Sequence, residues 1–212
     1  MESSNEELRP AGEPEEQPAL RGNYQGKRIE PGSTVRRLWK DYGYLVITAA
    51  VILFLFKVIF QIAWVPSGSM ETTLPTKSVL ISWQLPYLCA NPTPERGDVI
   101  TFWNDELDEL LVKRVIGLPG DTITIKNGFV YLNGEKLDES YLPRQGGTDY
   151  GKQESYTVPE GCLFMMGDNR ASSYDARYWN DSYIPIENVR SHVLLCISVL
   201  NQNCWRGIHA IS

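Results

Sequence analysis

Polar and apolar positions divide this chain into three stretches with different periods. Residues 1–43 are mostly polar; within them, residues 1–20 are rich in Glu, Pro and Ser and bury too little apolar surface to offset chain ordering, so a largely disordered tail is expected over 1–43. Next comes Tyr44–Val65, 22 residues with Lys57 as the single charge. As a helix it would rise ~33 Å, enough to cross a hydrocarbon core of ~30 Å. From Pro66 onward the pattern shortens to strands at Val79–Trp83, Asp98–Trp103, Leu110–Ile116, Thr122–Ile125, Gly128–Leu132, Cys162–Met166 and His192–Leu200, separated by Pro, Gly, Asn and Asp. Asn127-Gly128 and Asn133-Gly134 read as tight hairpin turns. Residues 138–155 read as a polar loop. The fold expected is mainly β, an antiparallel sheet domain over 66–212 after one membrane helix over 44–65.

Charge orients that helix. Arg21, Lys27, Arg28, Arg36, Arg37 and Lys40 precede the apolar run, so the N-terminus is expected in the cytoplasm and the β domain on the outer face of the plasma membrane. Trp64 suits the far interface. The long polar tail before the run and the lack of a small-residue cleavage site after it argue against a cleavable leader. A buried soluble helix and an interfacial helix remain as alternatives, the latter because Lys57 limits the uninterrupted apolar stretch to Tyr44–Phe56. The net charge of -6 and pI near 5.0 argue against nucleic acid as a partner. Cys89, Cys162, Cys196 and Cys204 contain no CxxC pair and the histidines are His192 and His209, which argues against a zinc site. A bridge between Cys196 and Cys204 is left open.

Three segments carry candidate chemistry. Pro66-Ser67-Gly68-Ser69-Met70 begins where the apolar run ends. Gly68 would permit an unusual turn, and a tight turn could aim the Ser69 N–H and the Ser67 hydroxyl at one developing oxyanion. Alone, PSGS is equally ordinary linker chemistry. In Leu111–Asp121, Lys113 shares a strand face with Leu111 and Val115, so its ammonium would be desolvated and its pKa lowered; an exposed lysine guarding an edge strand is the alternative. Gly167–Trp179 crowds charges and aromatics into one stretch. Asp175 could pair with Arg177, and Arg114 with Asp168; as surface pairs these would contribute about 0–1 kcal/mol.

These blocks, together with Arg96-Gly97-Asp98-Val99 and in this order behind one membrane helix, resemble the bacterial type I signal peptidases from about Leu45 to Ile208. The resemblance implies a serine endopeptidase that removes N-terminal signal peptides from exported preproteins, with Ser69 as nucleophile, Lys113 as general base and Ser173 orienting the base. It further implies an oxyanion hole from Ser67 and Ser69, and shallow pockets lined by Val65, Pro66, Met70, Leu74, Leu111 and Val112 for small side chains at P1 and P3. Structural ion pairs at Arg114, Asp168, Asp175 and Arg177 follow too, with no cofactor and no metal, and with the lipid bilayer as a second partner. Thr72 stands where many members have proline, and Ala176 where the last block often has serine. A self-cleaving repressor with a related Ser/Lys core and an anchored β domain binding peptides by strand addition are the competing classes. The membrane run and acidic leader count against the first, and a half-buried Lys113 facing a serine counts against the second.

Overall fold

The computed structural model describes residues 31–71, 73–90, 92–198 and 209–210. The expected disorder of residues 1–20, the departure at Thr72 and the Cys204 half of the candidate bridge lie outside the described residues. Cys89 and Cys162 are free thiols. The chain divides into two units, 1–47 and 48–212.

A first correction concerns the apolar helix. Helix α1 spans Pro31–Ile59, not 44–65, so residues 31–43 are helical and the sheet domain starts before residue 66. Proline is suited to the first turn of a helix, and no strong breaker separates residue 31 from the apolar run. The segment Val35–Ile59, 25 residues, contains an 18-residue window of mean hydropathy 2.2 and is ~37 Å long, sufficient to span a bilayer. Phe60–Trp64 leaves the helix as strand β1. The cause is competition for backbone groups. At the helix end Gln84 takes the carbonyls of Lys57 and Val58 with its side-chain amide (2.6 and 3.1 Å) and that of Ile59 with its backbone N–H (3.0 Å), which satisfies acceptors the helix leaves open. Beyond them β1 pairs antiparallel with β2, Ser78–Trp83, from Phe60↔Trp83 to Trp64↔Val79. Short apolar runs are ambiguous between helix and strand, and here the ladder decides.

The remaining elements are α2 (Leu85–Cys89), β3 (Val99–Asn104), β4 (Glu109–Gly117), β5 (Thr122–Lys126), β6 (Phe129–Leu132), β7 (Glu135–Lys136), β8 (Ser155–Thr157), β9 (Cys162–Met166), β10 (Ile184–Pro185), β11 (Val189–Ser198) and β12 (His209–Ala210). One sheet runs β1-β2-β11-β3-β4-β9-β10, with β12 also on β11; the other runs β7-β6-β5-β8. Every described pairing is antiparallel. The expected strands are thus present to within a few residues, and the short β7, β8 and β10 and helix α2 are additions. Both Asn-Gly turns are there. Asn127 and Gly128 have φ of 53° and 80°, and Asn133 and Gly134 have 50° and 88°, the left-handed pair a two-residue hairpin needs.

Two apolar clusters fill the domain. Ile100, Phe102, Val115, Ile123, Phe164 and Trp179 belong to the larger, and Val65, Met70, Leu74, Leu80, Val99 and Val193 to the smaller. Strand β4 serves both: Val115 lies in the first and Val112 packs on the second. The residue between Val112 and its ion-pairing neighbour Arg114 is Lys113.

Candidate active site

Two strand ends and one turn build the site. The β1–β2 ladder is extended by Val65 N–H to Ser78 O (3.0 Å) and Lys77 N–H to Val65 O (2.9 Å), which closes residues 66–76 into a loop carrying Ser69. Strand β4 pairs with β3 through Ile100↔Lys113 and with β9 through Arg114↔Met166. Two residues beyond Met166, Asp168 therefore arrives beside Arg114.

The block 167–170 then clamps the serine turn. Asn169 donates its backbone N–H to Ser69 O (3.1 Å) and its side-chain amide to Gly68 O (2.9 Å), and Thr73 donates to Asp168 Oδ2 at 2.5 Å. Gly167 is the glycine that this approach requires, because a Cβ there would overlap Ser173 Oγ and Ser69 O. Gly68 does not fulfil the expectation placed on it: it has no positive φ, and a Cβ would meet nothing closer than 3.6 Å. Asn169 and Gly167 were missed as positioning residues, since a hydrogen bond across 101 residues of chain leaves no local mark in the sequence.

Lys113 Nζ lies 2.5 Å from Ser69 Oγ, and the two side chains belong to residues only 3% and 8% exposed. Burial brings the Lys113 pKa down from 10.5 to about 8, with the nearby Asp175 and Asp168 carboxylates opposing that fall and Arg177 adding to it. The lysine is thus within reach of neutrality under mild conditions. Ser67 Oγ stands 3.4 Å from Ser69 Oγ. Among the described residues nothing accepts from the Ser69 N–H.

The expected ion pairs form, but not at the surface. Asp168 receives Arg114 through Nε and Nη2 (2.9 and 2.8 Å), and Asp175 receives Arg177 in the same two-pronged way (2.8 and 2.9 Å). All four side chains are at most 3% exposed, and Arg114 lies on β4 between its sheet neighbours β3 and β9. Asp175 Oδ2 also accepts the Gly167 N–H at 2.9 Å. A third buried pair, Arg170 with Glu139 at 2.5 Å, was not anticipated.

Ser173 is buried beside Gly167, whereas Ser172 is exposed. Its hydroxyl has no hydrogen-bond partner, so the expected bond to Lys113 is not formed in this structure.

A groove of about 140 Å³ opens at the serine, lined by Ala63–Ser67, Ser69, Leu80, Thr101 and Glu109–Lys113. Val65, Pro66, Leu111 and Val112 line it as expected. Met70 and Leu74 are not among its lining residues: both are fully buried in the smaller core cluster. Ala63 and Leu80, partners across β1 and β2, take up wall positions that the helical reading of 44–65 concealed.

Comparison with known proteins identifies the family. The family described as signal peptidase, peptidase S26, matches residues 39–197. A probable signal peptidase I-2 of Synechocystis sp. is 32% identical over 158 residues, covering 71% of this chain and 69% of its own length. A signal peptidase I of Bacillus caldolyticus is 37% identical over 155 residues, covering 68% and 81%. A crystal structure of a signal peptidase I from Enterococcus faecalis is 31% identical and covers 48% of this chain and 97% of its own, with a TM-score of 0.42.

Proposed function

The chain belongs to the signal peptidase family, peptidase S26, and from that premise we propose which of its residues remove the signal peptide and how. Membership makes it a membrane-associated serine peptidase acting on signal peptides. The observation that carries the residue assignment is the 2.5 Å contact between Ser69 Oγ and a buried Lys113 Nζ. Neutral Lys113 takes the Ser69 proton as Oγ attacks the carbonyl carbon of the scissile bond. The Ser69 N–H and the Ser67 hydroxyl hold the oxyanion. The resulting ammonium gives its proton to the leaving amine, the C–N bond breaks, and the signal peptide is left as an ester on Ser69. Lys113 then deprotonates water, which hydrolyses the ester and restores the serine. Small P1 and P3 side chains, typically alanine, fit a groove as shallow as that beside Ser69. The test is cleavage of an exported preprotein with alanine at both positions, read by sequencing the new N-terminus. A new terminus elsewhere, or none, overturns the reading.

The domain division proposed is a cytoplasmic tail, helix α1 as the single span of the plasma membrane, and the sheet domain from β1 on the outer face. Arg36, Arg37 and Lys40 at the start of the span support that orientation. Protease added to intact spheroplasts is expected to digest the sheet domain; protection of that domain would reverse the topology.

Ser173 is proposed as a positioning residue for Lys113. A buried hydroxyl without a partner costs about 1–3 kcal/mol, and a neutral lysine that accepts from Ser69 has two N–H groups left to donate. Wild-type kcat/KM is expected to rise about tenfold per pH unit towards a plateau above pH 8, because the neutral form of Lys113 is the active one and its pKa is about 8. Ser173→Ala is expected to lower kcat by ~10²-fold with little change in KM and to move this rising limb; Ser172→Ala is expected to do neither. A flat profile from pH 6 to 8 would remove Lys113 as the base, and an unaltered Ser173→Ala enzyme would leave its orientation to other groups.

A further inference from the structure

A second pocket, of about 380 Å³, lies on the other side of the serine turn. Its lining is Glu71, Pro143, Arg144, Gly147 and residues 168–171. It shares no residue with the groove beside Ser69. The wall between the two is the turn itself: residues 63–67 and Ser69 face the groove, Glu71 faces the pocket, and Asn169, which lines the pocket, holds the Gly68 and Ser69 carbonyls. A peptide that passes the nucleophile with its preceding residues in the groove must send its following residues out past this wall.

The far side of the pocket is a strap of chain, residues 139–148, pinned by buried contacts. Arg170 donates to Glu139 (2.5 Å), Thr148 (3.3 Å) and the Tyr141 hydroxyl (3.2 Å), and the Tyr141 ring stacks 4.1 Å from the Arg114 guanidinium. The anchors belong to the same buried arginines that fix the 167–170 block, so the strap and the serine turn are held in one frame. The pins also use up charge. Asp168 is neutralised by Arg114 and Arg170 by Glu139. Glu71 lies on the turn side, where its Oε2 accepts the Thr76 N–H at 3.2 Å; among the described residues it is in no ion pair, so it repels an acidic side chain towards the strap. Arg144 is left exposed at the rim, and among the described residues it is in no ion pair.

We propose that this pocket is the subsite for the first residues of the mature chain, those after the scissile bond, and that Arg144 selects an acidic side chain there. The proposal rests on the reading of Ser69 as the nucleophile and of the groove as the site for the residues before the bond. It gives the loop 138–155 a role in specificity, where its composition predicts no more than a polar connection.

The experiment uses the full chain in detergent and a signal-peptide substrate with alanine at P3 and P1. Glu, Lys or Ala is placed at each of the first three positions after the cleaved bond. The quantity read is the ratio of kcat/KM for Glu over Lys within each enzyme, so any partial loss of folding cancels. Wild type is expected to favour Glu by about threefold or more at one position, the scale of an exposed charge pair. Arg144→Glu is expected to invert that ratio and Arg144→Lys to keep it. A ratio near one at all three positions, or a ratio that Arg144→Glu leaves unchanged, overturns the subsite. Failure of wild type to cleave the alanine peptide itself overturns the parent reading instead.

Discussion

Ser69→Ala and Lys113→Ala are each expected to reduce cleavage of a preprotein to background, with the double variant no worse than either single one. With Ser69 as the proposed nucleophile and Lys113 as its proposed base, removing either would forfeit the whole proton-transfer step, so the losses should not add. Lys113→Arg is expected to fail as well, because a guanidinium stays protonated and cannot accept the Ser69 proton. Loss of activity through misfolding is separable by a stability measurement whose sign is opposite. Lys113 has a pKa of about 8 in the fold against 10.5 in a free chain. Near neutral pH its buried ammonium therefore costs about 3 kcal/mol. Lys113→Met should unfold at a higher temperature than wild type at pH 7. The gap should close as pH rises from about 8 to 10.5, since over that interval the unfolded wild type holds the extra proton and wild-type stability climbs. A Lys113→Met protein that is inactive and also less stable at pH 7 would mean that the lysine packs as a structural element. Half of wild-type activity in Ser69→Ala would end the dyad.

Asp175→Ala is expected to lower the stability of the sheet domain by about 3–5 kcal/mol, a fall of roughly 10 °C in Tm. The reason is the company that Asp175 keeps. It is fully buried, takes both prongs of Arg177 and accepts the Gly167 N–H. Removing it leaves a guanidinium at 0% exposure without its counter-charge, and a buried charge stripped of its partner is among the costliest defects a core can hold. Arg177 also donates to the carbonyls of Asp149 and Arg170, so the loss should loosen the strap and the 167–170 block together. Replacing both partners, Asp175→Leu with Arg177→Met, should cost less than the sum of the two single changes. Thermal unfolding of the chain in detergent measures all three variants. An unchanged Tm for Asp175→Ala would show the pair to be dispensable.

Both results depend on features that differ in how far the sequence reveals them. The strands β2 to β6 and β9 were legible because their signals are local: apolar alternation and the left-handed Asn-Gly pairs at 127–128 and 133–134 are written in neighbouring residues. Phe60–Trp64 was not, since five apolar-rich residues continuing a helix satisfy both periods, and the choice fell to Gln84 and to β2, more than 14 residues away. The same boundary hid Ala63 and Leu80 as groove residues. Met70 and Leu74 went the other way: the family resemblance implied a pocket wall, and the structure places both in the smaller core cluster.

The chemistry divides along the same line. The order of the motifs, through the family it resembles, named the reaction class and offered Ser69, Lys113 and Ser173 as candidates. Whether Ser69 and Lys113 meet was beyond it, as they are 44 residues apart and come together only through the register of β4 and the loop after β1. The burial that lowers the lysine pKa, the conversion of two plausible surface ion pairs into buried ones, and the requirement for glycine at 167 and not at 68 all arise from long-range packing. Short-range preferences fix which elements form and which side chains are offered; desolvation and contact distance belong to the assembled fold, and those two quantities decide whether a serine and a lysine become a catalytic pair.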